Sequence, residues 1–193
     1  MEVNEGKQDN LGGGIRFFLK ETFNIIDDTD VNATIDDIKA GVPIKGQTAW
    51  VLIFSILIAS AGLNTSSTAV VIGAMLISPL MGPIMGIGLS LGINDIFLLR
   101  KAVNNFGIMV VLSLITSFLY FSIPVFQNET PELIARTAPD VRDVIIAFAG
   151  GLALIIAFSR RSKAITTISG VAIATALMPP LCTAGFGLAT GKW

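Results

Sequence analysis

LISPLMGPIM, residues 76–85, sits inside an apolar stretch running from about Thr68 to Ile93, long enough to cross a bilayer. Within ten residues it carries Pro79, Gly82 and Pro83. Proline lacks the N–H that a helix needs and clashes with the preceding turn, at a cost of roughly 3 kcal/mol in a helix interior. At membrane depth no water repairs the lost bond. The stretch therefore predicts a spanning segment made of two half-helices, with the break near its middle.

A second stretch repeats the pattern. With an offset of 101 residues, Val70, Ile72, Leu76, Pro79, Leu80 and Gly86 fall on Val171, Ile173, Leu177, Pro180, Leu181 and Gly187. Five hydrophobic segments emerge around these two: about 48–63, 68–93, 106–126, 141–159 and 164–190. A short span precedes a long, proline-interrupted one in each half. An odd number of crossings separates the equivalent segments, so they run in opposite directions, as in inverted-topology repeats. The expected fold is all-α, with about five transmembrane helices, the second and fifth broken by proline. The first repeat half is 48–126 and the second is 141–193. Symmetry predicts a sixth span beginning after Trp193.

Composition agrees with a membrane chain. Of 193 residues, 52% are hydrophobic and 14% charged, against about 25% charged in soluble domains. Mean hydropathy is +0.74. If every segment crosses, ten of the 13 Lys and Arg residues fall on one side, including Lys39, Lys45, Arg100, Lys101, Arg160 and Arg161. Only Arg136, Arg142 and Lys192 fall on the other. The positive-inside rule then places the N-terminus in the cytosol of a multi-pass inner-membrane protein. Trp50 opens the first span at interface depth. The net charge of -1 points away from nucleic acid.

Residues 1–46 read as a cytosolic region, without the pattern of a signal peptide. In it, Ile15, Phe18, Leu19, Phe23 and Ile26 recur at helical spacing, which predicts a short amphipathic helix. Thr34 and Asp37 resemble a capping box that starts a second helix ending near Gly41, before Pro43. The transmembrane domain is 47–193.

The breaks supply the candidate site. Around the first are Ser78, Pro79, Gly82 and Pro83; around the second are Thr175, Pro179, Pro180, Cys182 and Thr183. Freed carbonyls and hydroxyls suit a cation or a neutral polar solute, and half-helix N-termini suit an anion. The competing reading is that proline merely kinks these helices and Ser or Thr bonds the freed backbone. Gly82, Gly86 and Ser90 repeat every four residues, and Gly88 with Gly92 forms another pair. Such spacing lets helices approach closely, within the chain or in a homo-oligomer. The Asn94–Asp95 pair and the run from Asn64 to Ser67 read as caps and turns.

With no histidine, one cysteine and no carboxylate inside a span, neither an enzyme nor a metal or other cofactor is expected. GLNTSSTAVVIGAMLISPLMGPIMGIGLSLGINDIFLLRKA (62–102) and ALMPPLCTAGFGLATGKW (176–193) resemble the prokaryotic uncharacterised hydrophobic domain family, also called domain of unknown function 389. The resemblance implies a bacterial or archaeal membrane protein with a further hydrophobic segment, and it brings no activity or site residues. Three functional classes follow: a secondary transporter or permease for a small solute or ion, an oligomeric channel, and a structural or signalling membrane protein.

Overall fold

The computed structural model describes residues 30–137, 141–159 and 163–191, and they contain helices and no strand. In chain order the helices are α1 (Val31–Gly41), α2 (Gly46–Asn64), α3 (Thr68–Ile77), α4 (Met81–Gly92), α5 (Ile96–Phe121), α6 (Pro131–Ala135), α7 (Val141–Ser159) and α8 (Lys163–Thr190). A 3₁₀ turn, Pro124–Phe126, links α5 to α6. The predicted helix at 15–26 and the cations Arg160, Arg161 and Lys192 lie outside the described residues.

The first helix starts earlier than its sequence signal. Asp30, rather than Thr34, is the N-cap, and its carboxylate accepts a bond from the Ala33 N–H at 3.1 Å. Thr34 instead donates its hydroxyl back to the Asp30 carbonyl at 2.8 Å. An acidic side chain one turn upstream satisfies the free N–H groups better than the expected Thr34–Asp37 pair. The helix stops at Gly41, and the Val42 N–H closes its last turn on the Lys39 carbonyl.

Among the described residues two helices, α2 and α5, are long and apolar enough to cross a membrane, or three segments if α3 and α4 form one span. The α2–α3 turn passes through Ser66, whose φ is 52°. Beside this turn the helices close tightly, because a Cβ on Gly62 would lie 2.8 Å from Val71 Cγ2. Asn94, at φ 55°, and Asp95, whose carboxylate caps the Leu98 N–H at 3.0 Å, set the start of α5. That start is ten residues ahead of the third apolar segment's expected edge, because the helix continues outward through Arg100, Lys101, Asn104 and Asn105. With 26 residues, α5 is about 39 Å long, more than the roughly 30 Å hydrocarbon core.

The main core joins α2, α3, α5 and α8 through Leu52, Ile56, Leu63, Met75, Met109, Phe121, Met178, Cys182 and Phe186. Phe121 and Phe186 meet edge to face at 5.1 Å. Large apolar side chains also stud the exterior: Phe97 is 92% exposed and Val125 72%. An exterior this apolar fits lipid rather than water. At one end of the bundle, Thr130 donates its hydroxyl to the Leu63 carbonyl at 2.7 Å, and Thr68 donates to a Glu132 carboxylate oxygen at 2.9 Å. The α6 segment thereby closes over the α2–α3 turn.

Candidate functional site

The LISPLMGPIM break is present. The α3 helix ends at Ile77, Ser78 is extended (φ -64°, ψ 128°), and α4 departs at 59° to α3. Proline biases its predecessor toward extended backbone, which ends α3 where it does. Pro83 falls in the first turn of α4, where its missing N–H removes no bond from the helix interior. With 10 and 12 residues, α3 and α4 are about 15 and 18 Å long. Each matches about half of the roughly 30 Å apolar thickness.

Few local bonds close the gap. The Ser78 N–H donates to Met75 O at 3.2 Å and the Gly82 N–H to Pro79 O at 3.4 Å. The first turn of α4 has no side-chain cap. The Ser78 hydroxyl oxygen is buried and has no hydrogen-bond partner. A buried polar atom left unpaired costs about 1–3 kcal/mol, so one at a helix break marks a candidate contact point.

The second expected break is absent. The α8 helix runs unbroken from Lys163 to Thr190 with Pro179 and Pro180 inside it. Pro179 and Met178 are fully buried, so the surrounding helices hold the segment helical despite the missing donors. The Thr183 hydroxyl turns back to the Pro179 carbonyl at 3.0 Å, the re-bonding foreseen under the kink alternative.

The two candidate regions do share the core. Leu80 and Met75, flanking the first break, belong to the same buried cluster as Met178 and Cys182. Pro180 points outward, whereas Cys182 is wholly buried. The Thr175 side chain lies outside the described residues. Gly82 faces α1: a Cβ there would overlap the Gly41 carbonyl oxygen. Gly86 packs likewise under Val42, while nothing lies within 4 Å of a Cβ on Gly88 or Gly92. Of the four glycines offered for self-association, two are thus covered within the chain and two are open.

Two features had little or no signature in the sequence. Ser60 of α2, Ser117 of α5 and the backbone of α8 meet in the core. Ser117 donates to the Cys182 carbonyl at 2.9 Å, and Ser60 reaches Ser117 at a long 3.5 Å. Gly185 admits this contact, since a Cβ there would overlap Ser117. Spacing of Ser113 and Ser117 by one turn in an apolar helix was the available signal. The other feature is a strap: Val42 is buried between α4 and α5, and the Asn105 side-chain amide donates to its carbonyl at 3.0 Å.

Comparison with known proteins gives a family but no activity. Residues 75–193 match the family described as Domain of unknown function (DUF389). An uncharacterized protein, MJ0678, of Methanocaldococcus jannaschii is 31% identical over 140 residues, covering 72% of this chain and 42% of the relative. The chain thus spans less than half the length of that relative. No solved structure matches it. The chain belongs to the DUF389 family, a prokaryotic family, and among its described residues two helices are apolar and long enough to span a membrane.

Proposed function

We propose that this DUF389 chain is part of a multi-pass inner-membrane carrier for a small solute, non-enzymatic, with its site at the α3–α4 break. The observation that carries the reading is the buried, unpartnered Ser78 hydroxyl at a 59° interruption between two half-span helices. Carriers place discontinuous helices at their substrate sites because half-helix ends supply unpaired carbonyls and N–H groups where lipid supplies none. Around Ser78 the groups on offer are hydroxyl and backbone: Pro79, Gly82 and Pro83 add no charge. Such groups suit a neutral polar solute or a weakly held ion.

The second half contributes differently from the first. Its residues Pro179, Cys182 and Thr183 form a helical wall next to the break, and the inverted repeat is a relation of sequence and direction rather than of two equal breaks. A structural role, in which the break only shapes packing, draws support from the continuity of α8 through its prolines.

Thiol labelling separates these readings. Ser78→Cys and Met81→Cys, each in a Cys182→Ser background and in native membranes, are exposed to a small membrane-impermeant reagent from either side. A carrier gives modification at Ser78→Cys from one side at a time, altered by added solute, and a channel gives modification from both sides together. If neither position reacts until the protein is unfolded, the break is packed shut and the transport reading falls.

A further inference from the structure

A groove runs along the outer face of α5, distinct from the break. The described residues lining it are Val103, Asn104, Gly107, Ile108, Val111, Leu112 and Ile115, and its volume is about 600 Å³. From residue 103 to 115 this face extends about 18 Å, close to the roughly 15 Å depth of one leaflet's hydrocarbon. Gly107 opens the groove, as nothing lies within 4 Å of a Cβ built there. All but one of the lining side chains are apolar or absent. The exception, Asn104, sits at one end.

That same end is cationic. Arg100 and Lys101 are exposed one turn before Asn104. Arg100, Asn104, Gly107, Val111 and Ile115 follow one another at helical spacing, so Arg100 continues the line of the groove. The nearest acid along α5 is Asp95, on the opposite side of the helix and engaged in capping Leu98. A shallow apolar groove about one leaflet long, headed by two cations and an amide, matches an amphiphile with a negative head and a long apolar tail.

We propose that the α5 groove is a binding site for one anionic phospholipid, its chain lying over Gly107 and Val111 and its phosphate held by Arg100, Lys101 and Asn104. Basic residues immediately outside a membrane-spanning helix are a recurrent means of attracting anionic lipids. The groove's length and its polarity gradient both run in the sense such a lipid requires. This inference does not depend on transport.

The test uses the purified full chain in mixed micelles of phosphatidylglycerol and phosphatidylcholine, with retained lipid counted by native mass spectrometry. One phosphatidylglycerol is expected to stay bound in preference to phosphatidylcholine. Arg100→Gln with Lys101→Gln should weaken its retention about thirtyfold, the effect of two near-surface cations. Gly107→Leu, which fills the groove and leaves the charge intact, should also abolish the preference. Lys39→Gln with Lys45→Gln removes two other exposed cations and should leave retention unchanged. As a readout free of folding differences, Val111→Cys in a Cys182→Ala background, carrying a benzophenone, should crosslink to the lipid chain on illumination. Equal retention of the two lipids, equal loss in the Lys39/Lys45 variant, displacement by soluble glycerol 3-phosphate, or absence of the lipid crosslink would each overturn the proposal.

Discussion

Gly82→Ala tests how the break is braced. At Gly82 the chain from α1 passes so close that a methyl group would occupy the place of the Gly41 carbonyl oxygen, with the Gly41 carbonyl carbon 2.9 Å and its Cα 3.5 Å away. These are backbone atoms, and they cannot swing aside as a side-chain end would. The strap must move by about an ångström or leave. Overpacking of this kind costs about 1–3 kcal/mol. Holding the strap are buried Val42, worth about 1.5–3 kcal/mol, and the Asn105 bond to its carbonyl, worth about 0.5–1.5 kcal/mol. The two sides are of similar size, so Gly82→Ala should raise the population of undocked strap about 5- to 150-fold, at 1.4 kcal/mol per factor of ten. Amide hydrogen exchange over residues 38–44, in lipid nanodiscs, reads this directly. Gly88→Ala is the control: its added methyl meets nothing within 4 Å, and the gain in helix propensity of about 0.5–1 kcal/mol should leave exchange unchanged or slower. If the two variants protect residues 38–44 equally, the strap does not rest on the α4 backbone and the reasoning fails.

Other positions offer sharper single contrasts. Gly185→Ala should destabilise by about 1–3 kcal/mol, because the new methyl overlaps Ser117; combining it with Ser117→Gly should restore much of the loss in a thermal-unfolding assay. Thr130→Val removes the hydroxyl that bonds Leu63 and the N-cap of α6, and should cost about 1 kcal/mol while speeding proteolysis between residues 122 and 137. Asp30→Ala removes the N-cap of α1 and should cost about 1 kcal/mol of helix stability, seen as faster exchange over residues 31–35 with α5 unaffected.

Much of the architecture was readable from local signals. The apolar runs that begin at Val141 and near Ala164 became helices with nearly the expected ends, because a long hydrophobic run leaves the backbone little choice in lipid. Asn94 and Asp95 marked the start of α5 as turn and cap, although the apolar run itself begins later. Hydropathy reports burial in lipid, and a helix can continue past the lipid through exposed Arg100 and Asn104. Thr34 misled for a related reason. A capping pattern shows which residues can cap, and Asp30, one turn earlier, starts the helix before Thr34 is reached, which leaves Thr34 inside the first turn. The strap and the Ser60–Ser117–Cys182 contact had little or no local signature, since each joins residues more than 50 positions apart.

Proline gave opposite results at its two sites, and the difference bears on function. At Pro79 the preceding residue is Ser78, which is extended, and a second proline four residues on, Pro83, serves as a first-turn residue of a new helix. Chain direction could therefore change at small further cost. Pro179 and Pro180 are adjacent, so ending one helix and starting another would leave no residues for a turn. Met178 and Pro179 are also locked in the core beside Leu80 and Met75. Continuing the helix forfeits two bonds, to the carbonyls of Thr175 and Ala176, but keeps that packing. The asymmetry leaves a broken α3–α4 pair in the first half and an unbroken α8 in the second. The carrier site proposed above therefore rests on the broken pair alone, where Ser78 is the side chain at the break with an unmet hydrogen-bonding capacity.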